Sequence, residues 1–323
     1  MPLSINALMR HLRASEPPVN AMGSKHKRQL RNIGYYHGYK GYRFVKNSNN
    51  RILISDFDDL MAIYSFDMAL KTLIYPQIMF IETALKNYVL EAVLRDANSE
   101  SFDDIFMRSM TAYKASPSKK YVDRLKIRLR ARDEINWILR DNCGADKDPV
   151  IWHFLRDGKT VPIWAIFEKL TLGQFGNFYL SLDPRIKNEI AKELDLPRSC
   201  DGGKALSSMI FALKDLRNAV AHNKPVFDSR FKSQEIGAAL KSCLETGVGT
   251  SHITFNSITD YVILMTYLLQ KFQQTKTESK RFAKSYLKLI EDYWRILPDN
   301  TAARVAGTDT RAKINAVLAS LKG

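Results

Sequence analysis

The segment KALSSMIFALKDLRNAVAHNKP, residues 204–225, has the most regular pattern in the sequence. Its apolar residues recur every three or four positions, which is the spacing of one face of an α-helix. They are Leu206, Met209, Ile210, Leu213, Leu216 and Val220. An Asp-Gly-Gly sequence precedes the segment and Pro225 follows it, so we predict a helix over residues 204–222.

Helical spacing also dominates the rest of the chain, and strand signals are weak throughout. A long helix is predicted from Asp56 onward, with a kink or a restart at Pro76. Further helices are predicted over residues 119–140, 161–182 and 310–322, with two more inside 256–293 and a short one inside 97–118. The sequence therefore predicts an all-α fold.

Residues 29–44, QLRNIGYYHGYKGYRF, interrupt this pattern with three glycines among four tyrosines. Glycine at this density disfavours a helix interior, so we predict a helix end followed by tight turns. Tyr35 and Tyr36 are expected to be mostly buried in this structure. The alternative is that the tyrosines stack nucleobases beside Lys40 and Arg43.

The charge of the chain favours a polyanionic partner. There are 49 basic and 34 acidic residues, a net charge of +15, and nucleic acid is the commonest polyanion in a cytosol. The three cysteines are far apart, which disfavours a zinc site and fits a reducing, cytoplasmic compartment. No apolar run approaches the length of about 18 residues that spans a membrane, so we predict no membrane segment.

Arg217, Asn218 and His222 form the motif with the clearest chemistry. Asn218 and His222 are four residues apart and project to the same side of a helix, and the long Arg217 side chain can reach that side. Histidine exchanges protons near neutral pH, and arginine holds phosphate oxygens with two hydrogen bonds. Asparagine can orient either partner. The trio suits RNA cleavage by the 2′-hydroxyl group and requires no metal or other cofactor, although this spacing also occurs by chance.

Four ordered sequence blocks raise the specificity of this interpretation. The first is IGYY with a later GY, within Leu30–Tyr42, and the second runs from Tyr64 to Lys86 and includes Phe66-Asp67 and Glu82. The third contains Pro162, Trp164, Glu168, Leu170, Thr171 and Gly173, and the fourth runs from Leu213 to His222. Together they resemble the Abi-like family of bacterial abortive-infection proteins.

This resemblance implies an all-α HEPN-like helical bundle and a metal-independent endoribonuclease with Arg217, Asn218 and His222 as catalytic residues. It also implies a homodimer in which two copies of the motif share one cleft. Antiviral defence by RNA damage would be the role, and some relatives resemble toxins controlled by a companion non-coding RNA. The commonest family ending has a second histidine after the motif, where this sequence has Asn223.

The chain is expected to comprise a tail or short helix over residues 1–24, an Abi-like domain over 25–250, and a C-terminal helical extension over 251–323 packed on the same core. The candidate RNA contacts are Lys27, Arg28, Arg31, Lys40, Arg43, Arg124, Arg128, Arg132 and Lys224. Glu82 is expected either near the site or in a salt bridge between helices. A non-catalytic RNA-binding protein and a scaffold for a partner protein are the alternative functions.

Overall fold

A computed structural model describes residues 4–115, 117–197, 201–272, 276–297 and 299–321. Within these ranges the chain forms fifteen α-helices and one π-helix, and its only β-structure is three isolated bridges. The all-α prediction is confirmed. None of the helices in these ranges is long and apolar enough to cross a membrane.

The helices follow one another through the whole described chain. They are α1 Ile5–Arg13, α2 Gly23–Ile33, the π-helix Gly34–Lys40, α3 Phe57–Ala97, α4 Phe102–Arg108, α5 Ser118–Asp141, α6 Pro149–Arg156, α7 Ile163–Lys169, α8 Leu172–Ser181, α9 Pro184–Glu193, α10 Gly202–Ala221, α11 Ala238–Val248, α12 Ile258–Lys271, α13 Lys276–Trp294, α14 Asp299–Ala306 and α15 Thr310–Ser320.

The chain divides into two compact units, and neither is continuous in sequence. The first unit contains the residues up to Ile78, Asp215–Glu235 and the residues from Val248 onward. The second contains Met79–Lys214 and Ile236–Gly247. These limits differ from the sequence segments 1–24, 25–250 and 251–323, because C-terminal and N-terminal helices belong to the same unit.

The first unit has an apolar core around α12, which packs against α13 and α15. Every residue of α12 from Ile258 to Leu269 is buried. Two polar groups inside this core are satisfied by hydrogen bonds: the Thr259 hydroxyl lies 2.8 Å from the Tyr286 hydroxyl, and Asp260 accepts a bond of 3.0 Å from Lys313. Buried polar groups of this kind are tolerated because they are paired.

The second unit is built around α5, which packs against α7 and α8. Ala131, Ile135 and Ile138 form the buried face of α5. Helix α8 begins at a capping box formed by Thr171 and Gln174. Gly176 in α8 has no side chain because a Cβ atom there would lie 2.8 Å from the Phe211 ring.

Several local predictions are corrected by the structure. Helix α3 continues through Pro76 without a restart. The segment 161–182 holds two helices, α7 and α8, and Gly173 lies in the first turn of α8. Helices α6, α9, α11 and α14 were not predicted from the sequence.

The Gly/Tyr segment is helical as well, but it is a π-helix instead of a series of turns. Gly34 has a φ of +75°, a backbone conformation that glycine adopts without strain. A Cβ atom at Gly38 would come within 2.3 Å of the Ile33 side chain. The glycines therefore allow a wider, closely packed helix to follow α2 directly.

Candidate functional site

Arg217, Asn218 and His222 lie at the end of α10, in the first compact unit. Asn218 and His222 are exposed, whereas Arg217 is half-buried with its Nε atom inaccessible to solvent. His222 directly follows the last helical residue, and its backbone N–H donates to the Asn218 carbonyl at 3.0 Å. This bond keeps His222 in helical register, so the two side chains project to the same side of the helix.

The helix ends in a Schellman motif. The Asn223 N–H donates to the Val220 carbonyl at 3.1 Å, and the Lys224 N–H donates to the Ala219 carbonyl at 2.8 Å. Asn223 has a φ of +53°, and asparagine tolerates this left-handed conformation better than most residues do. The chain therefore turns sharply after His222, which leaves the histidine at the exposed tip of the helix.

The Asn223 side chain connects this helix end to two other segments. Its Oδ1 atom accepts a hydrogen bond of 2.7 Å from the Lys71 Nζ atom. Its Nδ2 atom therefore faces His37, whose Nε2 atom is 3.2 Å away. A neutral His37 accepts this bond at Nε2 and carries its proton on Nδ1.

A buried carboxylate, Asp67 in α3, holds the chain that follows the motif. Its Oδ1 atom accepts from the Val226 and Phe227 N–H groups at 2.7 and 2.9 Å. Its Oδ2 atom accepts from the Tyr42 hydroxyl at 2.7 Å and pairs with Lys71 at 2.8 Å. Each oxygen thus has two partners, which is what a buried charge requires.

Tyr42 is also buried, with its ring stacked on Phe227 at a centroid distance of 5.8 Å. Burial, together with the neighbouring Asp67 carboxylate, raises the pKa of Tyr42 well above its ordinary value. Tyr42 therefore remains protonated and donates to Asp67. Asp67, Tyr42, Lys71, Asn223 and His37 form one connected group, which we call the Asp67 network.

Comparison with known proteins gives one family. The model of the family described as Abi-like protein matches residues 28–228, more than half of the chain. The chain belongs to the Abi-like protein family. No curated protein and no solved structure matches it.

Three of the four Abi-like sequence blocks supply residues to the Asp67 network or to the helix end that it holds. The first block supplies His37 and Tyr42, the second supplies Asp67, and the fourth supplies the helix end that the network holds. No nucleophile or carboxylate lies near His37 in the sequence, so residue spacing alone does not mark it as functional. The feature of the sequence that points to His37 is its place inside the segment rich in glycine and tyrosine.

Residues of the remaining block make their contacts within the second unit of this Abi-like chain. Lys86 in α3 pairs with Glu82 at 3.0 Å and donates to the Leu170 carbonyl at 2.6 Å. The Glu82–Lys86 pair lies within one helix. Trp164 is 40% exposed and donates to Glu100 at 3.2 Å.

The burial expected for Tyr35 and Tyr36 is corrected. Tyr36 is 82% exposed and Tyr35 is half-buried, whereas Tyr39 and Tyr42 are buried in their place. The period of the π-helix differs from that of an α-helix or a turn, so the buried positions could not be read from the spacing. The Tyr36 ring is therefore available to solvent beside His37.

Six of the nine candidate RNA contacts belong to the first unit. Arg28, Arg31 and Lys224 are exposed, and Lys27 is half-buried. Lys40 lies 5.4 Å from the centroid of the Tyr35 ring, and Arg43 donates to the Tyr39 hydroxyl at 3.2 Å. This unit thus presents cations together with an exposed aromatic ring.

The three other candidates lie on α5 in the second unit, and one of them is not a surface residue. The Arg128 guanidinium is buried 3.6 Å from the centroid of the Phe106 ring and donates to the Phe106 carbonyl at 2.8 Å. Burial lowers its pKa. Arg132 pairs with Asp103 at 2.8 Å, and Arg124 lines a cavity. Arg128 is therefore corrected from an RNA contact to a packing residue.

One group of side chains with metal-ligand chemistry occurs in the described part of the chain: His26, Asp56 and Asp58. These groups have protein partners already. Asp58 pairs with Lys25 at 2.8 Å, which lowers the pKa of its carboxyl group, and Asp56 accepts from Asn20 at 2.7 Å. Asp58 also lies in the acidic first turn of α3, where a carboxylate interacts favourably with the helix dipole.

Proposed function

We propose that this Abi-like protein is a metal-independent endoribonuclease of the HEPN type, with Arg217, Asn218 and His222 as its catalytic residues. The observation that carries the proposal is the exposed helix end on which these residues lie, capped at Asn223 and held by the Asp67 network. A helix end fixed on several sides keeps catalytic groups in a constant geometry, which contributes strongly to rate.

The reaction removes a proton from one oxygen of the RNA and adds a proton to another. The ribose 2′-oxygen loses its proton and attacks the adjacent phosphorus, while the bond from phosphorus to the 5′-oxygen breaks and that oxygen is protonated. The products are a 2′,3′-cyclic phosphate and a 5′-hydroxyl end. His222 would transfer a proton, and Arg217 would neutralise the charge that develops on the phosphoryl oxygens.

A single chain supplies one imidazole from this motif, whereas the reaction benefits from a separate acid and base. We therefore propose a homodimer in which two copies of the trio line one cleft. Membership of the family suggests a role in abortive infection. We infer that RNA damage in the cytoplasm of an infected cell is the mechanism, with a companion RNA as the means of control.

The test uses purified full-length protein and end-labelled RNA in a buffer with excess chelator. The variants Arg217→Ala and His222→Ala should lose cleavage by at least about 100-fold, and His222→Ala should do so with unchanged thermal unfolding, because His222 is exposed. His153→Ala is the matched control, because His153 is an exposed histidine of the second unit. Full cleavage by both motif variants would refute this assignment, as would products that lack the cyclic phosphate.

The exposed Tyr36 and the surrounding cations also support a second function, non-catalytic binding of a structured or companion RNA. In that case wild-type protein would retain RNA without cutting it. The same motif substitutions would weaken binding, and no cyclic phosphate would form at any protein concentration. End-group analysis of RNA incubated with wild-type protein therefore separates the two functions.

A further inference from the structure

The second compact unit contains a cavity of about 590 Å³ that has no part in the function proposed above. Its volume lies within the range of roughly 300–1,000 Å³ that is typical of small-molecule sites. Side chains from α5 and α9 and from the first turns of α10 line it. The apolar part of the wall includes Leu180, Pro184 and Pro117.

Positive charge dominates the polar part of the wall. Four cations, Lys120, Arg124, Lys187 and Lys204, line the cavity together with a single carboxylate, Asp201. That carboxylate is already engaged, since it pairs with Lys204 at 2.7 Å and accepts from the Lys204 N–H at 3.0 Å. One carboxylate thus faces four cations, so the wall keeps an excess of positive charge.

Arg124 and Lys187 are the two inner cations, and both are half-buried. Lys187 donates to the Leu180 carbonyl at 2.8 Å, which directs its ammonium group inward. Within the described chain, no carboxylate forms an ion pair with Arg124. Burial, reinforced by the Arg124 charge, lowers the pKa of Lys187 to about 8. A bound anion would relieve this unfavourable concentration of positive charge.

We propose that this cavity binds a phosphorylated nucleoside, with Arg124 and Lys187 holding a terminal phosphate and the apolar wall of Leu180 and Pro184 receiving the sugar or base. The guanidinium group matches phosphate with paired hydrogen bonds, and the ammonium group adds a point charge. Ser207 and Ser208 also line the cavity. The phosphate could belong to a free mononucleotide or to the 5′ end of an RNA.

Calorimetric titration of the full-length protein tests the proposal. The probes are AMP, a 5′-phosphorylated tetranucleotide with 2′-O-methyl groups throughout, and the same tetranucleotide with a 5′-hydroxyl end. The 2′-O-methyl groups prevent cleavage by 2′-oxygen attack, so the outcome does not depend on endoribonuclease activity. AMP binding would identify a free nucleotide as the source, and binding of the phosphorylated oligonucleotide alone would identify an RNA end.

Variants on two different helices make the test specific. Arg124→Gln and Lys187→Met should each weaken binding by about tenfold or more, because each removes a charged hydrogen bond to the phosphate. Lys192→Met is the matched control, since Lys192 is an exposed lysine of α9 that does not line the cavity. Unchanged thermal unfolding would show that a loss of binding is not a loss of fold.

Proton uptake gives a readout that a purely structural lysine would not produce. An anion beside Lys187 raises its pKa above about 8, so binding at pH 8.5 should take up protons, measurable in two buffers of different ionisation enthalpy. Lys187→Met should abolish this uptake. The charged groups that act on Lys187 are Arg124, Asp183 and Asp201, with Lys120 and Lys204 in the same wall and Tyr179 beside it.

Three results would overturn the proposal. The first is the absence of saturable binding by AMP and by the phosphorylated oligonucleotide. The second is equal affinity for the phosphorylated and hydroxyl-ended oligonucleotides in the absence of AMP binding. The third is binding that neither Arg124→Gln nor Lys187→Met weakens.

Discussion

Each compact unit buries a charged side chain against aromatic rings, and the two charges are held in different ways. Asp67 in the first unit has four polar partners, which include two N–H groups of the chain after the motif. Arg128 in the second unit lies against the Phe106 ring and bonds to one carbonyl of the neighbouring helix α4. A buried charge can therefore either organise a functional loop or join two helices, and its partners determine which.

The largest loss of stability should follow from the substitution of Asp67. Asp67→Asn leaves the buried Lys71 ammonium group without its counter-ion. Removing one partner of a buried ion pair costs about 3–5 kcal/mol, so the free energy of unfolding should fall by that amount. Equilibrium unfolding in urea measures it.

The matched control is Asp58→Asn in the same helix. Asp58 pairs with Lys25 at the surface, and its loss should change the free energy of unfolding by less than about 1 kcal/mol. Equal destabilisation by the two substitutions would contradict the role assigned to the Asp67 network.

Substitution of Arg128 should lower the free energy of unfolding by less than substitution of Asp67 does. Arg128→Met removes the bond to the Phe106 carbonyl and the contact with the ring, and should lower the free energy of unfolding by about 1–3 kcal/mol. It should leave the salt dependence of RNA binding unchanged, because the charge is not at the surface.

Arg132→Gln sharpens this contrast. Arg132 is half-buried and pairs with Asp103, so its loss should change stability little. If α5 contacts RNA phosphates, the plot of log affinity against log salt should become less steep, by about 1 in the magnitude of its slope. A changed slope in Arg128→Met, with unchanged stability, would reverse the assignment of the two arginines.

His37 connects the Asp67 network to the proposed chemistry. His37→Ala removes the contact with Asn223 and should slow single-turnover RNA cleavage by about tenfold, while the fold is retained because the side chain is exposed. His37→Gln keeps a hydrogen-bonding group at a similar reach and should restore much of the rate. Cleavage at the wild-type rate by His37→Ala would limit His37 to a surface role.

The smallest effect concerns Tyr36. Its exposed ring can stack one nucleobase, so Tyr36→Ala should weaken binding of unstructured RNA several-fold without changing stability. Tyr36→Phe should retain the affinity. Tyr75→Ala, at another exposed tyrosine of the first unit, is the control and should have no effect.

The elements with strong apolar periodicity were predictable, because a helix that covers a core must repeat its apolar residues. This applies to α10, and to the position of Arg217, Asn218 and His222 at its end. The π-helix was not predictable from spacing, and so the identity of its exposed tyrosine was predicted wrongly. Asp67 and Arg128 could not be interpreted from sequence, since what distinguishes them is their partners in space.

The left-handed backbone at Asn223 has a consequence for how this position can vary. Few residue types accept a φ of +53°, and asparagine, aspartate and histidine are enriched among those that do, with glycine free of the restriction. A saturation library at this codon should therefore retain a small group of substitutions and reject β-branched residues.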